Sequence, residues 1–587
     1  MNSTPHLAHQ KKPRSQDRAL ALQELREHIG SYLSRCDLGA LCQASRRWHR
    51  DWNPVYWKDV HQPKDRTVDF ASNGHLIRSL ELTTTKQPVL SAIRDYCHHL
   101  RHLKLTSYKL TPEMFKECIM GLPPTAAAET VQAQETSVQA NPKDIPPALE
   151  PCFYKSAYLS NSLRTLNLRM EPEVCEIMLP WLTRAKKAGH LQGLRSFTVA
   201  PAVITYTCIM MDPEPERFVK LSDIYAFLDA FPALTALSTG DMKIINENKE
   251  APTYQRTELQ VYPSISSLQL HVEHDALFED VASRIPNVTK LSVYLAGSSN
   301  IIPAIRQHYP GLKMLAVDMS SHSEYYRPFA DEDIEGQRRE FKDWIDLFQG
   351  LPHLESLSTR YTSLPWTVME SLAKSCPRLE QLRFGYNTFL SVLGLKSLLR
   401  SCTRLKSIHV EDQALSASIV ANDDLWKSPV ETLYLDQVLL KTEQDMDNFR
   451  RRIRLLPTLR SLTFKGCSCL SARVLLEPQE YALASAGQTS NPNTDTDAKA
   501  TRERDEATCD GAGESKRAKE MDISFSTIAY PNLENLSIEW FKGPLFSDST
   551  EAFSTMLDHM PCLRYLVLDR DYTEEDLRQV RRRHVPG

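Results

Sequence analysis

At 587 residues the chain is too long for a single compact core, so we expect several domains or an array of repeats. Its composition, 41% hydrophobic and 25% charged, is ordinary for a water-soluble protein. A formal net charge of −4 gives no electrostatic reason to expect binding to nucleic acid or to an anionic membrane. No run approaches the roughly 18 apolar residues that a membrane-spanning helix needs.

The cysteines and the first residues bear on cellular location. The 13 cysteines are scattered, and their number is odd. This usage favours reduced, buried thiols over a disulfide framework. The opening MNSTPHLAHQKKPR has no apolar stretch typical of a secretory signal peptide. We therefore expect a cytoplasmic and/or nuclear protein, with residues 1–17 forming a disordered tail.

Residues 18–62 have the pattern of three short helices. The apolar residues Leu22, Leu25, Ile29 and Leu33 are spaced three, four and four apart, which places them on one face of a first helix. Asp37 is positioned to cap a second helix that begins at Leu38. A dense group of tryptophans follows, Trp48, Trp52 and Trp57. So small a unit with so many aromatic residues is expected to dock onto another surface.

This segment resembles the F-box. The matching residues, in order, are Glu24-Leu25, Ile29, Ser31-Tyr32-Leu33, Asp37-Leu38, Ser45-Arg46-Arg47-Trp48 and Tyr56-Trp57. Three positions depart from the F-box pattern: Leu22 stands where proline is usual, Arg26 replaces an apolar residue, and Gly30 lies within the first helix. The alternative is a helical cap that shields the first repeat of the following array.

The F-box resemblance implies binding to the Skp-type adaptor of a cullin-RING ubiquitin ligase and, through the adaptor, to a cullin. The residues that would contact the adaptor are Leu22, Leu25, Ile29, Leu33, Leu38, Leu41, Trp48 and Trp57.

From residue 63 to 587 a strand motif, apolar-x-x-apolar-x-apolar, recurs fifteen times. Its first positions are Ile77, Leu100, Leu163, Leu194, Leu234, Ile265, Val288, Leu312, Leu354, Leu379, Leu405, Val430, Leu459, Leu533 and Leu563. Many are preceded two residues earlier by a proline, as at Pro232, Pro377 and Pro561. Between two of these motifs, Val368, Met369, Leu372 and Cys376 have the spacing of a buried helical face.

Repeats of this kind are typical of a leucine-rich-repeat solenoid. The sequence therefore predicts an α/β fold: a solenoid with a parallel concave sheet and convex helices, preceded by a small all-α F-box. It resembles the irregular repeats that follow F-boxes in fungal proteins. Two polar segments, near 122–151 and 484–521, exceed any repeat and are predicted to be disordered insertions.

Side chains between the buried strand leucines are expected to line the exposed face of the sheet. Leu382 should be buried, whereas Arg383 beside it should point outward. Arginine, tyrosine and histidine on a rigid surface are typical of protein-binding sites, although an ordinary polar face is the alternative. The candidate substrate-binding residues are Arg360, Arg383, His409, Glu411, Tyr434, Asp436 and Lys465.

No catalytic motif accompanies these features. The sequence lacks a phosphate-binding glycine loop, a nucleophile elbow and a zinc-binding H-E-x-x-H, and Cys467-Ser-Cys469 has the wrong spacing for a metal pair. We therefore expect no cofactor, no metal and no catalytic residue. The preferred hypothesis is a substrate-recognition subunit of a ubiquitin ligase, which binds the adaptor through the F-box and an unknown protein through the repeats. The alternative is a leucine-rich-repeat binding scaffold with no ubiquitin role.

Overall fold

The structure is a computed structural model that divides into two compact units, Met1–Tyr309 and Pro310–Gly587. It describes residues 23–33, 35–61, 68–83, 87–107, 161–170, 172–201, 218–246, 260–272, 274–295, 301–319, 334–362, 364–385, 392–411, 429–436, 458–465, 532–539, 560–567 and 571–572, together with residues 111, 114, 456, 530 and 557. The predicted tail at 1–17 and the predicted insertions at 122–151 and 484–521 lie outside these residues. None of the described helices is long and apolar enough to cross a membrane.

The first unit begins with three helices and continues as a parallel sheet. The helices are α1 (Gln23–Gly30), α2 (Arg35–Ala44) and α3 (Arg46–Lys58). The strands are β1 (Asp59–His61), β2 (Ser79–Leu82), β3 (His102–Thr106), β4 (Thr165–Met170), β5 (Ser196–Pro201), β6 (Phe218–Lys220), β7 (Ala236–Ile245), β8 (Ser267–Val272) and β9 (Lys290–Leu295). Strands β1 to β5 pair in parallel in chain order, β7 pairs with β5, β6 and β8, and β8 pairs with β9.

Helices follow the strands of this first unit. They are α4 (Phe70–Asn73), α5 (Gln87–Tyr96), α6 (Pro172–Lys187), α7 (Leu221–Ala230), α8 (Asp275–Arg284) and α9 (Ile302–His308), with a short 3-10 turn at Gly74–Leu76. Phenylalanines fill the space between the helices and the sheet: Phe197 of β5 lies 5.1 Å from Phe227 of α7, ring centre to ring centre. A strand and the helix after it therefore form one repeat, which is covered by its neighbours.

The second unit repeats this arrangement. Its strands are β10 (Met314–Asp318), β11 (Ser356–Arg360), β12 (Gln381–Gly385), β13 (Ser407–Glu411), β14 (Thr432–Asp436), β15 (Ser461–Lys465), β16 (Asn535–Glu539), β17 (Tyr565–Val567) and β18 (Asp571–Tyr572). Strands β10 to β17 pair in parallel in chain order, and β18 pairs antiparallel to β17. The described helices are α10 (Ile334–Gly350), α11 (Trp366–Ser375) and α12 (Val392–Ser401).

All fifteen predicted strand motifs correspond to strands, each of which begins two residues after the first motif position. Those first positions are all buried, with at most 3% of their surface exposed. The second apolar position forms a continuous buried row across the second unit. Its members in register are Leu357, Leu382, Ile408, Leu433, Leu462, Leu536 and Leu566. Burying a leucine stabilises by roughly 1.5–3 kcal/mol, so this row is a main source of stability.

The predicted α/β solenoid with a parallel sheet is confirmed, and the structure adds three short strands that the motif does not predict, β1, β6 and β18. Each has two or three residues, too few for an alternating pattern. The helix predicted from Val368, Met369 and Leu372 is α11, and all three side chains are buried. The second helix begins at Arg35, so the expected start at Leu38 is wrong. Asp37 lies in the first turn of this helix, where its negative charge interacts favourably with the helix dipole.

The prolines before the strands have a more specific position than the sequence suggests. At Pro232 and Pro377 the residue after the helix, the proline and the next two residues form a turn. The amide of Leu234 donates to the carbonyl of Phe231, and that of Leu379 to the carbonyl of Cys376. Proline is thus the second residue of the turn, where its fixed backbone angle is favourable.

Candidate functional site

The first candidate region is formed by the N-terminal helices α1–α3 of the first unit. Helix α3 starts at a true N-cap, because the Ser45 hydroxyl accepts a hydrogen bond from the Trp48 amide. Helix α1 lies against α3 through polar contacts. Arg26 donates to the Asp51 carbonyl at 2.8 Å, and Lys58 Nζ lies 2.6 Å from Glu27 Oε2. The hydrogen bond from Lys58, with a second from Gln23, lowers the pKa of Glu27.

Two of the departures from the F-box pattern have a structural reason. Arg26, which replaces an apolar residue, is half-buried and lies 3.4 Å from the Asp51 carboxylate, so an ion pair takes the place of an apolar contact. Gly30 is buried, and a Cβ there would lie only 2.4 Å from Val55 Cγ1. The glycine therefore lets α1 approach α3 closely.

The tryptophans of α3 differ in burial. Trp52 is 5% exposed and belongs to the core, whereas Trp48 stacks on it with a centre distance of 6.3 Å and is 37% exposed. Trp57 is half-buried and contacts Tyr56 edge to face. The Arg35 guanidinium lies 5.1 Å from the Tyr56 ring and 5.9 Å from the Trp57 ring. This cation–π contact joins α2 to the end of α3.

The predicted adaptor-binding residues also differ in burial. Leu22 lies outside the described residues, and Leu38 is buried. Half-buried side chains are found at Leu25, Ile29, Leu33, Leu41 and Trp57. Sequence reasoning left out Tyr32, which lies in the turn after α1 and is 76% exposed, although its place in the Ser31-Tyr32-Leu33 run was a signal. Partly exposed apolar groups of this density are available for contact with another molecule.

The second region is a side-chain cluster on the exposed face of the sheet in the second unit. It consists of Asp318, Arg360, Arg383, His409, Glu411 and Tyr434, and we call it the arginine–glutamate cluster. Six strands, β10 to β15, supply the face, and the register places the predicted residues side by side. Arg383 is opposite His409, His409 is opposite Tyr434, and Asp436 is opposite Lys465. The predicted residues therefore lie in adjacent rows of one sheet.

Glu411 is the centre of this cluster. Its Oε2 accepts from Arg360 Nη2 at 2.5 Å, and its Oε1 accepts from Arg383 Nη2. His409 Nε2 lies 2.8 Å from the same Oε1. The side chain is only 6% exposed. Burial alone would raise the pKa of Glu411, but the hydrogen bonds from His409 and Arg383 and the charges of both arginines outweigh it and lower the pKa to about 2.

Gly385 makes this geometry possible, and it was absent from the predicted site. It lies between Arg360 and Glu411 in register, on the strand that separates them. A Cβ at this position would be 2.6 Å from Arg360 Cγ and 2.9 Å from Glu411 Oε2. The missing side chain lets Arg360 reach across β12 to a carboxylate two strands away. The sequence feature that could have indicated this position is the glycine at the last residue of β12.

Two further contacts complete the cluster. The rings of His409 and Tyr434 stack with a centre distance of 3.7 Å and an interplanar angle of 14°. Asp318 Oδ2 lies 3.8 Å from Arg360 Nη1, so Arg360 is bound by a carboxylate at each end. Asp318, too, was missed by the sequence analysis. Within the described residues no group of histidines, cysteines or carboxylates could hold a metal ion.

The buried thiols outside these regions are structural. Cys376 Sγ lies 3.4 Å from the Leu351 carbonyl, and Cys402 Sγ lies 3.7 Å from the Cys376 carbonyl. Burial raises the pKa of Cys376 to about 12 and that of Cys402 to about 11. Both thiols are therefore protonated and unreactive at neutral pH.

Comparison with solved structures gives distant structural similarity. No protein-family model matches the chain, and no curated protein matches it. Among solved structures, the crystal structure of the Rad7 and Elc1 complex in yeast resembles it with a TM-score of 0.35 and 12% sequence identity. The similarity covers 79% of this chain and 90% of that one.

Proposed function

We propose that this protein is a non-catalytic substrate-recognition subunit of a cullin-RING (SCF-type) ubiquitin ligase, active in the cytoplasm and/or nucleus. Helices α1–α3 bind the Skp-type adaptor and through it a cullin, and the solenoid binds the protein to be ubiquitinated. The transfer chemistry belongs to other subunits, and this chain contributes proximity.

The observation that carries this proposal is the half-exposed apolar set on α1–α3. Leu25 and Ile29 lie on α1 and Leu33 lies in the turn that follows it, outside the predicted helical face, and the three keep the order that resembles the F-box. They are only half-buried in this chain, as is Trp57. An apolar surface of this kind gains stability when a partner covers it. A repeat array follows directly, as a recognition surface requires.

A second candidate is a leucine-rich-repeat binding scaffold with no ubiquitin role. The observation that favours it is strand β1, which follows α3 and pairs with β2. The Arg78 amide also donates to the Lys58 carbonyl at the end of α3, at 2.8 Å. The helices are thus joined to the first repeat as a cap would be.

Capture of the adaptor distinguishes the two functions. The chain is co-expressed with a Skp-type adaptor and purified through a tag on the chain. Under the proposed function the adaptor co-purifies, and the double replacement of Ile29 and Trp57 by alanine removes it. One lost anchor is worth about 2 kcal/mol, a factor of roughly thirty in affinity. The matched control replaces Ile177 and Trp366, an exposed isoleucine and an exposed tryptophan elsewhere, and should retain the adaptor.

Adaptor capture by the wild-type chain is the decisive measurement. If the wild-type chain never retains the adaptor, the scaffold function takes the place of the ubiquitin ligase function. If the control double variant loses the adaptor as completely as the Ile29 and Trp57 variant, the contact does not lie on α1–α3. Circular dichroism of all three proteins verifies that the sheet is intact.

A further inference from the structure

We propose that the arginine–glutamate cluster is a binding site for an oxyanion, a carboxylate or phosphate group on an extended protein segment, and that Arg383 is the residue that binds it. The inference rests on the proposed function only in taking this segment to belong to the protein that the solenoid recognises. The geometry of the cluster supplies the rest.

The charges in the cluster are arranged by depth. The carboxylates lie at the bottom: the side chains of Glu411 and Asp318 are 6% and 14% exposed. The guanidinium groups lie above them, with 34% of the Arg360 side chain and 43% of the Arg383 side chain exposed. The charge that reaches solvent is therefore positive, although the cluster as a whole contains both signs. A positive surface of this kind is complementary to an anion.

The two arginines have different roles. Arg360 has one terminal nitrogen near Asp318 and the other bonded to Glu411, so it is a positioning residue. Arg383 bonds to Glu411 through Nη2, and within the described part of the chain Glu411 is its single ion-pair partner. A guanidinium offers five N–H donors in a rigid fork that fits carboxylate and phosphate groups. With 43% of its side chain exposed, Arg383 can donate to a ligand through the donors that Glu411 does not use, while Glu411 fixes its orientation.

An aromatic surface lies next to Arg383. His409 is its neighbour in register on β13, and Tyr434 follows on β14 with its ring stacked on the imidazole. The bond from His409 Nε2 to Glu411 fixes this pair as well. A rigid aromatic pair beside an anion site favours a peptide side chain packed next to the bound group.

A protein segment fits this site better than a nucleic acid. Nucleic-acid binding depends on many phosphate contacts from a basic surface. The chain has a net charge of −4, and the cluster offers one guanidinium edge beside two aromatic rings. One anionic side chain in a peptide matches one such edge.

The test uses three fluorescent peptides of glycine, alanine and tyrosine with phosphoserine, glutamate or glutamine at the centre, and fluorescence anisotropy with the full chain. We expect at least one anionic peptide to bind about tenfold or more tightly than the glutamine peptide, as a charge-assisted hydrogen bond predicts. A preference for phosphoserine alone assigns the site to phosphate, and binding of the glutamate peptide assigns it to carboxylates. Equal binding of all three peptides by the wild-type chain overturns the inference.

Variants locate the site. R383Q should abolish the preference for the anionic peptide. R383K keeps a positive charge over Glu411 but should lose most of this preference, because lysine lacks the planar guanidinium donors of arginine. The matched control is R404Q, since Arg404 is another exposed arginine of this unit bonded to a glutamate, Glu380. It should retain the preference. A preference that survives in both Arg383 variants, or that R404Q abolishes equally, overturns the inference.

Two further measurements separate this inference from others. Single-stranded oligothymidylate is tested in parallel, and binding tighter than that of either anionic peptide, lost in R383Q, would replace the protein ligand by a nucleic acid. Adaptor capture is measured on the same preparations. R383Q should capture the adaptor normally, and the Ile29 and Trp57 double variant should bind peptides normally. Failure of the anion site and failure of the ubiquitin ligase function are thus independent results.

Discussion

Glu411 shows how a single buried carboxylate organises a surface. It receives hydrogen bonds from two arginines, and His409 lies within hydrogen-bond distance of it. Sequence alternation predicted that its neighbours would lie on one face, and the register confirms this. Alternation did not predict that Glu411 is more deeply buried than Arg383, because the two residues occupy similar alternating positions. The burial of Glu411 beneath the arginines depends on Gly385, because a side chain at this position would overlap Arg360 and keep it from reaching Glu411.

The lowered pKa of Glu411 gives a pH-dependent stability. Because its pKa is about 2 in the folded chain and ordinarily 4.5, the ionised group stabilises the fold fully above about pH 4.5, and this contribution is lost as the pH falls through about 2. We expect E411Q to lower the free energy of unfolding by about 3 kcal/mol at neutral pH. Urea denaturation at several pH values should show the gap between wild type and variant closing toward acid pH.

The control for this prediction is E355Q. Glu355 lies 3.5 Å from Lys313 in a more exposed ion pair of the same unit. An exposed pair contributes about 0–1 kcal/mol, so this variant should unfold almost as the wild type does. A gap for E411Q that is equal at neutral and acid pH would show that its cause is packing and not charge.

At the scale of elements, strands were easier to predict than helices. Most strands that the motif predicts have two buried positions fixed by alternation, as Leu382 and Phe384 in β12, and every motif matched a strand. The start of α2 was placed at Leu38 because Asp37 is a favourable capping residue, yet the helix begins three residues earlier. Asp37 is favourable in the first turn as well as at the N-cap, and the contact of Arg35 with Tyr56 packs the first residue of the helix against α3.

Gly30 offers a test of how α1 packs on α3. A Cβ there would overlap Val55, so G30A should separate the two helices and destabilise this segment by about 1–3 kcal/mol. The control is G39A in α2, where a Cβ would meet only Tyr56 at 3.7 Å. Alanine in a helix interior stabilises by up to about 1 kcal/mol relative to glycine, so the two variants should differ in sign.

Hydrogen exchange of residues 23–33, followed by mass spectrometry, measures both variants. Protection should fall in G30A and stay equal or rise in G39A. Unchanged protection in G30A would mean that α1 accommodates the methyl group by moving Val55 alone.

At the scale of the whole molecule, each repeat is stabilised by its neighbours. The row that contains Leu382 runs through consecutive strands of the second unit. Such an array is approximately a sum of nearest-neighbour contacts. The fifteen motifs could therefore be predicted one by one, since each depends on local pattern. The same local pattern predicted the residues of the polar cluster except Asp318, but it could not predict their ion pairs, since Arg360 and Glu411 are 51 residues apart in sequence.

A charged residue in this row should therefore destabilise mainly the strands next to it. L382D buries an unpaired carboxylate and should cost about 4 kcal/mol or more. We expect hydrogen-exchange protection to be lost in β11, β12 and β13, while β3 and β4 of the first unit retain it. L393D, at an exposed leucine of the same unit, serves as control and should change neither. Loss of protection throughout both units would show that the chain unfolds as one cooperative body.

The junction between α3 and β1 has a mechanical consequence. Lys58 ends the helix and Asp59 begins the strand, so no residue between them can rotate freely. A partner bound to α1–α3 as proposed would therefore be held at a fixed angle to β1 and β2, without a flexible linker between them. Adding one residue at this point would turn the faces of β1 over. The register of β1 with β2 therefore determines the orientation of a partner bound to α1–α3.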